Sequence, residues 1–563
     1  MGRFQDVTIP RLLGLNEDEN PASLQPGELV RAENSWRRGR TTGTRPGATV
    51  DPDVYTSQQA GAIQGLYDFA FNHDASRRLI VVTNGTVMDG LVPATIDGGI
   101  TVTAGAANWW TFATHKDLVY AAGGTGGDSF WRWDGAAGAS AATDDLDGTT
   151  PTFSVISDGA VEVSPRFVFE KWNRLWTCDF RKDTGARSTT VAANSMTTRY
   201  SSLNDGNTWP LSNSVGGTSA IGGLSSYGGE FLTGFGQFTD NNGDWLIILS
   251  NKALYLLSET GDWINPFFLS RRGAIANGCV SQRAFVSLGL DSGDAVYLSS
   301  KGIHSLRQSQ QFGAAADRFL SWKIRRTFAT INQAAIENAH GEYWPGQGIV
   351  VFWVPIGSAT SPNLGICIDV KDKDALTADN VEIDLWGISS ATADTRLVTA
   401  SALAVDNAND AYIYAGNASG DVFRMDPAVS ADLGVAYQVD MQTKHDDLGS
   451  ISSSKGVGDV WVTTQPGGNY TPTYQTGFDY GHRMGGTRKL KMPGVGAQWG
   501  SGKWTSSKWS TTDATKVAKV YGTGRGVTVS HRFTHANAGE PFYIGAVTMQ
   551  VQRYGEELGG EDV

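Results

Sequence analysis

The chain has 563 residues, a mass of 60.2 kDa and a formal net charge of −12. Forty per cent hydrophobic residues and 18 tryptophans exclude wholesale disorder, because there is ample apolar surface to bury. Sixty-nine glycines without a period of three point to many tight turns and exclude collagen.

The charge is uneven. Residues 1–50 hold seven basic and six acidic side chains, 427–563 hold thirteen and twelve, and 51–426 hold 25 and 39. Such an acidic body argues against sequence reading of a nucleic-acid duplex, which needs a basic footprint. Cys178, Cys279 and Cys367 form no CxxC or Cys/His cluster, so they read as free thiols of a protein made in a reducing cytosol. Residues 1–15 lack the apolar core of a secretory signal, and no stretch reaches the ~18–20 apolar residues of a membrane span. A soluble product without membrane insertion is expected.

In chain order, residues 1–61 come first. They are polar and punctuated by Pro and Gly, with too little apolar surface to fold alone, and read as an extended arm or linker. From 62 to 426 one template recurs: a polar start, four or five apolar residues, a small polar turn, and a second short apolar strand. It appears at Arg78–Met88, at Asp117–Gly123 closing in Phe130–Gly135, at Asp244–Tyr255, at Asp294–His304 and at Asp410–Phe423. Arg166–Trp176 with Thr198–Ser201, and Gly348–Val354 with Leu364–Asp369, fit the same role. β-Branched and aromatic runs joined by Asn-Gly or Ser-Lys-Gly connections read as hairpins. Seven such units, starting roughly 40–80 residues apart, suggest a β-propeller of about seven blades with loop insertions. A set of unrelated sandwiches is the alternative, and the irregular pitch speaks for it. Ala314–Phe328 reads as a helix inserted between blades.

After Pro427 the pattern becomes period-2 alternation. Val435–Met441, Val460–Thr463, Lys516–Tyr521, Gly526–Phe533 and Phe542–Val551 predict an antiparallel β-sandwich-like domain over 427–563. Trp499, Trp504 and Trp509 fall in a Gly/Ser/Lys-rich loop, and the acidic end from Gly555 is expected to fray. The fold class expected is therefore all-β: arm, propeller and C-terminal domain.

Motifs that carry chemistry are scarce. There is no HExxH, GxSxG, Walker A or usable GxGxxG, and the eight histidines are dispersed. His531 and His535 flank a strand end and do not share a helix face. Asp144, Asp145 and Asp147 could offer oxygens to calcium but read better as a solvated loop. No metal, cofactor or catalytic residue is assigned, and the chain is expected not to be an enzyme. One motif is sharper. Ser202-Leu-Asn-Asp-Gly-Asn-Thr-Trp209 fits the Asp-box hairpin S-x-[D/N]-x-G-x-T-W. Ser202 and Thr208 mark its frame, Asn204 is expected to cap the turn, Gly206 to supply positive φ, and Trp209 to pack beneath. Its role is structural, and the Arg-Ile-Pro segment of the sialidases that often carry it is missing.

Three segments carry a resemblance. Leu13-Gly-Leu-Asn16, Asn20-Pro-Ala-Ser-Leu-Gln-Pro-Gly-Glu28, Asn34 and Arg45-Pro-Gly47 form the first. Trp172-Asn-Arg-Leu-Trp176 with Arg199-Tyr-Ser-Ser-Leu-Asn-Asp-Gly-Asn-Thr-Trp-Pro210 forms the second, and Tyr521–Gly524 with the strands of Val527–Val551 the third. Together these resemble the β-propeller hub or nozzle proteins of short-tailed double-stranded DNA bacteriophages. Gly206 stands where that family often has Pro.

The resemblance implies a structural virion protein of the tail, made in the host bacterial cytoplasm. It implies a homo-oligomeric ring, typically a hexamer, below the portal and adaptor rings. Such a ring lengthens the channel through which double-stranded DNA leaves and anchors fibres or spikes. Residues 1–61 would be an arm that orders on assembly, with Arg31, Arg37, Arg38, Arg40 and Arg45 as its candidate contacts to acidic partners. The alternative is a carbohydrate-binding or hydrolysing propeller acting in receptor recognition, with some of the tryptophans as stacking platforms.

Overall fold

The computed structural model describes residues 4–554 except 22, 52–53, 55–60, 71–76, 92–93, 97–101, 125–127, 129, 136–156, 159–160, 183–195, 207–208, 210–228, 241–242, 263–265, 271–276, 290–293, 308–318, 372–375, 378, 388–397, 407, 467, 469 and 493–514. The chain is all-β. Asp144, Asp145, Asp147, Thr208, residues 314–318, Trp499, Trp504, Trp509 and the acidic end lie outside the described residues.

Seven small antiparallel sheets follow one another between Gly65 and Asp426, each built from consecutive strands. Their inner strands are Gly65–Ala70, Trp110–His115, Val161–Lys171, Leu232–Asp240, Phe285–Ser287, His340–Trp344 and Val398–Val405. Each lies against the next in this order, and Val398–Val405 returns to lie against Gly65–Ala70. The neighbour relations thus close into a ring. The expected hairpins stand at their expected places: Arg77–Thr83 with Thr86–Asp89, Gly243–Ser250 with Leu254–Glu259, and Ala411–Asn417 with Val422–Asp426 are examples.

Short sheets of this kind cannot bury both faces alone, so the apolar side chains meet in the gaps between sheets. Ile80, Val82, Trp131 and Trp133 fill the gap between the first and second sheets. Tyr120, Phe130, Leu175 and Trp209 fill the next, and Trp176, Phe235, Ile248 and Leu257 the one after. Leu66, Val81, Ala402 and Tyr414 close the ring between the seventh and first. Burial of each such side chain contributes roughly 1.5–3 kcal/mol.

The leader supplies five strands: β1 (Phe4–Ile9), β2 (Leu29–Glu33), β3 (Ser35–Arg38), β4 (Thr41–Thr44) and β5 (Gly47–Thr49). β5 pairs with Val422–Asp426 and so becomes the outer strand of the seventh sheet. β1 and β4 pair with the last strand, Phe542–Tyr554, and β3 pairs with β4. With Ser454–Pro466, Lys516–Tyr521 and Arg525–Gly526 they form one sheet of a C-terminal platform. β2 pairs with Val439–Thr443 and begins the second platform sheet, which continues through Val529–His535 and Thr473–Phe478. The two sheets share a core, with Met441, Tyr474 and Phe533 on one side and Val460, Val547 and Met549 on the other. β2 also makes one parallel bridge, Glu33 to Leu385, to the outer strand of the sixth ring sheet. Sheet hydrogen bonding therefore runs without a break from ring to platform.

Three expectations change. Residues 1–61 are not an extended arm: Ile9, Leu12, Leu15, Leu29, Ala32 and Trp36 are buried in the chain's own cores. These residues are too sparse to make a core, yet sufficient to complete cores supplied by distant parts of the chain. The ring unit is accordingly not self-contained over 62–426, because β5 belongs to its seventh sheet. The described part of the expected helix over 314–328 is a 3-10 turn, Leu320–Ile324, followed by the single α-turn Arg325–Phe328.

Candidate functional site

Three places collect the residues that the sequence singles out or that chemistry could use. The first is the crossing between ring and platform. Arg45 is 1% exposed, and all five of its donors are used. Nη1 and Nη2 grip Asp432 through Oδ1 at 3.0 Å and Oδ2 at 2.5 Å. Nη1 also donates to Pro46 O at 2.7 Å, Nη2 to Gly387 O at 2.7 Å, and Nε to Asn34 Oδ1 at 2.9 Å. The guanidinium lies 3.9 Å from the ring centroid of Tyr437, whose hydroxyl donates to Arg45 O at 2.6 Å. Burial works to lower its pKa, but Asp432 and Tyr437 beside it together outweigh this and raise it. The guanidinium therefore stays charged.

The other leader motif residues converge here. Asn34 takes φ 51°, accepts from Gly387 N at 2.8 Å and donates to Gln438 O at 2.7 Å. Glu28 accepts from Asn16 Nδ2 at 3.2 Å and pairs with Lys323 at 3.1 Å. A Cβ on Gly47 would collide with the Ala431 carbonyl, so the backbones there approach as only glycine allows.

The structure divides the five candidate assembly arginines. Arg45 is internal and is no assembly contact. Arg37 pairs with Glu382 and with Asp369 at 3.5 Å. Arg38 is exposed and lies 5.8 Å from the Tyr543 ring centroid, and Arg40 is exposed in the β3–β4 turn. Arg31 is half-exposed and 3.5 Å from Asp440, which Arg532 already holds at 2.5 Å.

The second place is the Asp-box turn between the second and third sheets. Its left-handed residue is Asn204, φ 61°, and not Gly206. Asn204 N donates to Asn173 O at 2.9 Å, and Ser202 bridges Asp205. Gly206 is required for another reason: a Cβ would stand 2.6 Å from Tyr120 Oη and 2.8 Å from Leu175 Cδ1. Trp209 is 2% exposed, donates from Nε1 to Gly206 O at 3.0 Å and meets Phe130 edge-on at 6.0 Å. The turn packs as a joint between the second and third sheets.

The third place, which sequence reasoning missed, is a cavity of about 450 Å³ lined by the inner strands of all seven sheets. One wall is aromatic: Tyr67 stacks on Phe112 at 5.3 Å and Phe169 on Phe235 at 6.4 Å. The other is polar, with Arg283, His340, Glu342 and Ser401. Burial pushes the Glu342 carboxyl up to about 7, against a weak hydrogen bond from Ser401 Oγ at 3.4 Å. Burial and the nearby Arg166 push Arg283 down to about 9. His340 is held well below its ordinary value by burial and by Arg283. The sequence signal for this site is the position of His340, Glu342 and Ser401 on inner strands and of Arg283 in the 3-10 turn Gln282–Ala284 that leads into one, which is legible once a ring is assumed.

Among the described residues no cluster of His, Cys, Asp or Glu could hold a metal ion, and no helix is long and apolar enough to cross a membrane. The three cysteines are buried and unpaired.

No protein-family model and no curated protein matches the sequence. Solved structures similar to it include Chaetomium thermophilum Raptor, at TM-score 0.34 and 8% identity, covering 68% of this chain but 28% of that one. Another is the exo-β-1,3-galactanase of Phanerochaete chrysosporium, at TM-score 0.25 and 9% identity over 88% and 100%. A third is the intramolecular trans-sialidase of Ruminococcus gnavus, at TM-score 0.27 and 10% identity over 69% and 91%. The expectation that the chain is not an enzyme is corrected here. Proteins similar to it include glycoside hydrolases, and the chain is not classed as non-enzymatic. Their TM-scores, all below 0.5, equally assign it no activity.

Proposed function

We propose that the closed ring is a seven-bladed β-propeller and that the chain is a structural subunit of a short phage tail. In this reading copies form a hub or nozzle ring, of six by the family resemblance, in the virion tail below portal and adaptor. The ring surrounds the path of exiting double-stranded DNA and anchors fibres or spikes. The observation that carries the reading is the use made of the leader motif. Its Asn34, Arg45, Pro46 and Gly47 are the residues that fasten ring to platform. A subunit held between a portal and a fibre must transmit force between its two bodies. A fully satisfied bidentate ion pair and an unbroken sheet resist relative motion better than a flexible linker does. The acidic balance of 51–426 suits a wall past which phosphates must slide without sticking. The test is cryo-electron microscopy of the purified chain with a portal–adaptor complex. A ring seated below the adaptor is expected, and a chain that stays monomeric and unattached overturns the proposal.

The axial cavity favours a second reading, a carbohydrate-binding or hydrolysing propeller in receptor recognition. An aromatic wall facing polar groups is the usual make-up of a sugar site. A glycan array and a hydrolysis screen on the purified chain test it, and silence in both removes it.

A further inference from the structure

We propose that one side of the platform is a docking surface for the chain's own acidic segment, residues 555–563, which keeps that side closed to other polyanions.

The surface is where the margins of the two platform sheets meet. Arg483–Met484 and Arg488–Lys489 pair with Thr473–Phe478 and form the margin of the second sheet. Lys516–Tyr521 is the margin strand of the first sheet. The two lie side by side, tied by a hydrogen bond from Gly486 N to Thr523 Oγ1 at 2.9 Å. Between 482 and 526 the described residues hold seven basic side chains and no acidic one. Met484, Val517 and Tyr521 add exposed apolar surface among them. In a chain of net charge −12, a strip of one positive sign favours an anionic partner.

The carboxylates of the platform itself are committed elsewhere. Asp479 holds Arg483, Asp459 holds Lys519 at 2.6 Å, and Asp440 holds Arg532 at 2.5 Å. Arg488, Lys489, Lys491 and Arg525 are exposed, and among the described residues no carboxylate stands within 4.0 Å of them.

The acidic segment begins beside these cations. Residues 555–563 read Gly-Glu-Glu-Leu-Gly-Gly-Glu-Asp-Val, four carboxylates and no cation, and lie outside the described residues. They follow Tyr554, whose ring centroid is 4.0 Å from the Arg525 guanidinium. Val527, two residues on, donates its N–H to Asp479 Oδ1 at 2.7 Å, which places Arg525 at the near end of the strip. The strip follows a six-residue strand and is roughly 20 Å long. Nine extended residues reach about 30 Å, so the segment can span it. Leu558 separates two acidic pairs, as exposed apolar residues stand among the cations. Each exposed ion pair is weak, but a short tether holds the segment at an effective concentration on the order of mM. A second copy at assay concentrations does not match that.

The experiment titrates a fluorescent peptide of residues 555–563, read by anisotropy, with the full chain and with a chain ending at Tyr554, which keeps every described strand. At low salt the shortened chain should bind the peptide roughly tenfold or more tightly than the full chain, whose own segment occupies the surface. Added salt should weaken that binding steeply. A peptide with Gln and Asn in place of its acids should not bind. Arg488→Glu with Lys489→Glu in the shortened chain should lose roughly tenfold in peptide affinity with thermal unfolding unchanged. On heparin the shortened chain should elute at higher salt than the full chain. Equal peptide binding by the two chains, equal elution from heparin, binding of the neutral peptide, or binding that survives the charge reversal overturns the inference. No binding by the shortened chain overturns it as well. Should the reversal unfold the platform, the neutral peptide and the comparison of the two chains still decide. Weaker binding by the full chain that disappears on dilution assigns the segment to a neighbouring copy and overturns docking within one chain.

Discussion

The ring and the platform are built from the same kind of strand by opposite routes. In the ring nearly every strand pairs with its neighbour in sequence, so each sheet is a local product of one short stretch of chain. In the platform β1 pairs with Phe542–Tyr554 and β2 with Val439–Thr443, partners more than 400 residues away. Local pairing makes a repeat that tolerates insertion between sheets. Non-local pairing makes a clasp that forms only when both ends of the chain are present. The two regions should therefore fail differently when cut or mutated.

The largest expected effect comes from removing residues 2–47. That deletes β1 to β4, the Arg45 ion pair and the start of β5, and leaves Asp432 buried without its partner. The platform should not fold, and the seventh sheet should lose its outer strand. Solubility and limited proteolysis check this. A deleted chain whose platform stays protease-resistant would show that the clasp is dispensable.

Arg45→Met isolates the ion pair from the strands. Breaking a buried pair from one side costs about 3–5 kcal/mol. Denaturant unfolding should show the loss, and a shift below about 1 kcal/mol would mean that Asp432 finds water. Within the ring, Trp209→Ala should cost a similar ~3–5 kcal/mol by emptying the gap between two sheets. Gly206→Ala should cost roughly 1–3 kcal/mol by overpacking the same joint. The proposed difference between the regions is that the Trp209 loss stays local. Hydrogen exchange should rise in the second and third sheets and not in the platform.

The ring was legible in sequence because its strands are local. Arg78–Met88 and Asp244–Tyr255 each contain both strands and their turn, so pattern alone finds the hairpin. The uneven pitch has its cause in long connections between sheets, such as the one from Trp133 to Ser157, and does not disturb the ring order. The role of the leader was not legible. Leu12, Leu15, Leu29 and Trp36 look like isolated apolar residues in a polar stretch, because the cores they join are built from residues more than 200 positions away, Phe238 onward for the leucines and Trp344 onward for Trp36. Arg45 read as a surface cation for the same reason: its carboxylate partner is 387 positions away. In the Asp-box, position was right and the assignment of φ was wrong. Asn204 tolerates the left-handed region through its short polar side chain, while Gly206 serves close packing.

Stability against pH should separate the cavity from the rest of the ring. Glu342 has its folded-state pKa raised to about 7 by burial, above an ordinary carboxylate near 4.5. The folded state binds that proton more tightly than the unfolded state. Its contribution is fully present below pH 4.5 and is lost as pH rises to about 7. Asp384, also pushed up to about 7 by burial, adds a loss of the same sign at the junction. Glu342→Gln should therefore fall less than the parent between pH 4.5 and 7 in thermal unfolding, with the Asp384 part remaining. Parallel curves would place Glu342 in open solvent.

The smallest expected effect on stability is also the one that bears most directly on assembly. Of the five leader arginines, Arg45 and Arg37 are committed to carboxylates of their own chain, which leaves Arg31, Arg38 and Arg40 for a neighbour. Arg40 stands exposed in a turn, so its removal should change unfolding by no more than about 0.5 kcal/mol. Arg31 gives up a half-exposed contact to an Asp440 that keeps Arg532, so its loss should be similarly small. The double variant Arg31→Glu, Arg40→Glu should then fold like the parent. If a ring forms by pairing these cations with an acidic surface, reversing two charges places like charges opposite one another and slows association most at low salt. Mass photometry of ring formation across an ionic-strength series reads this. A ring that assembles as well as the parent at every salt concentration would move the interface away from the β2–β4 edge and leave these arginines as ordinary surface charge.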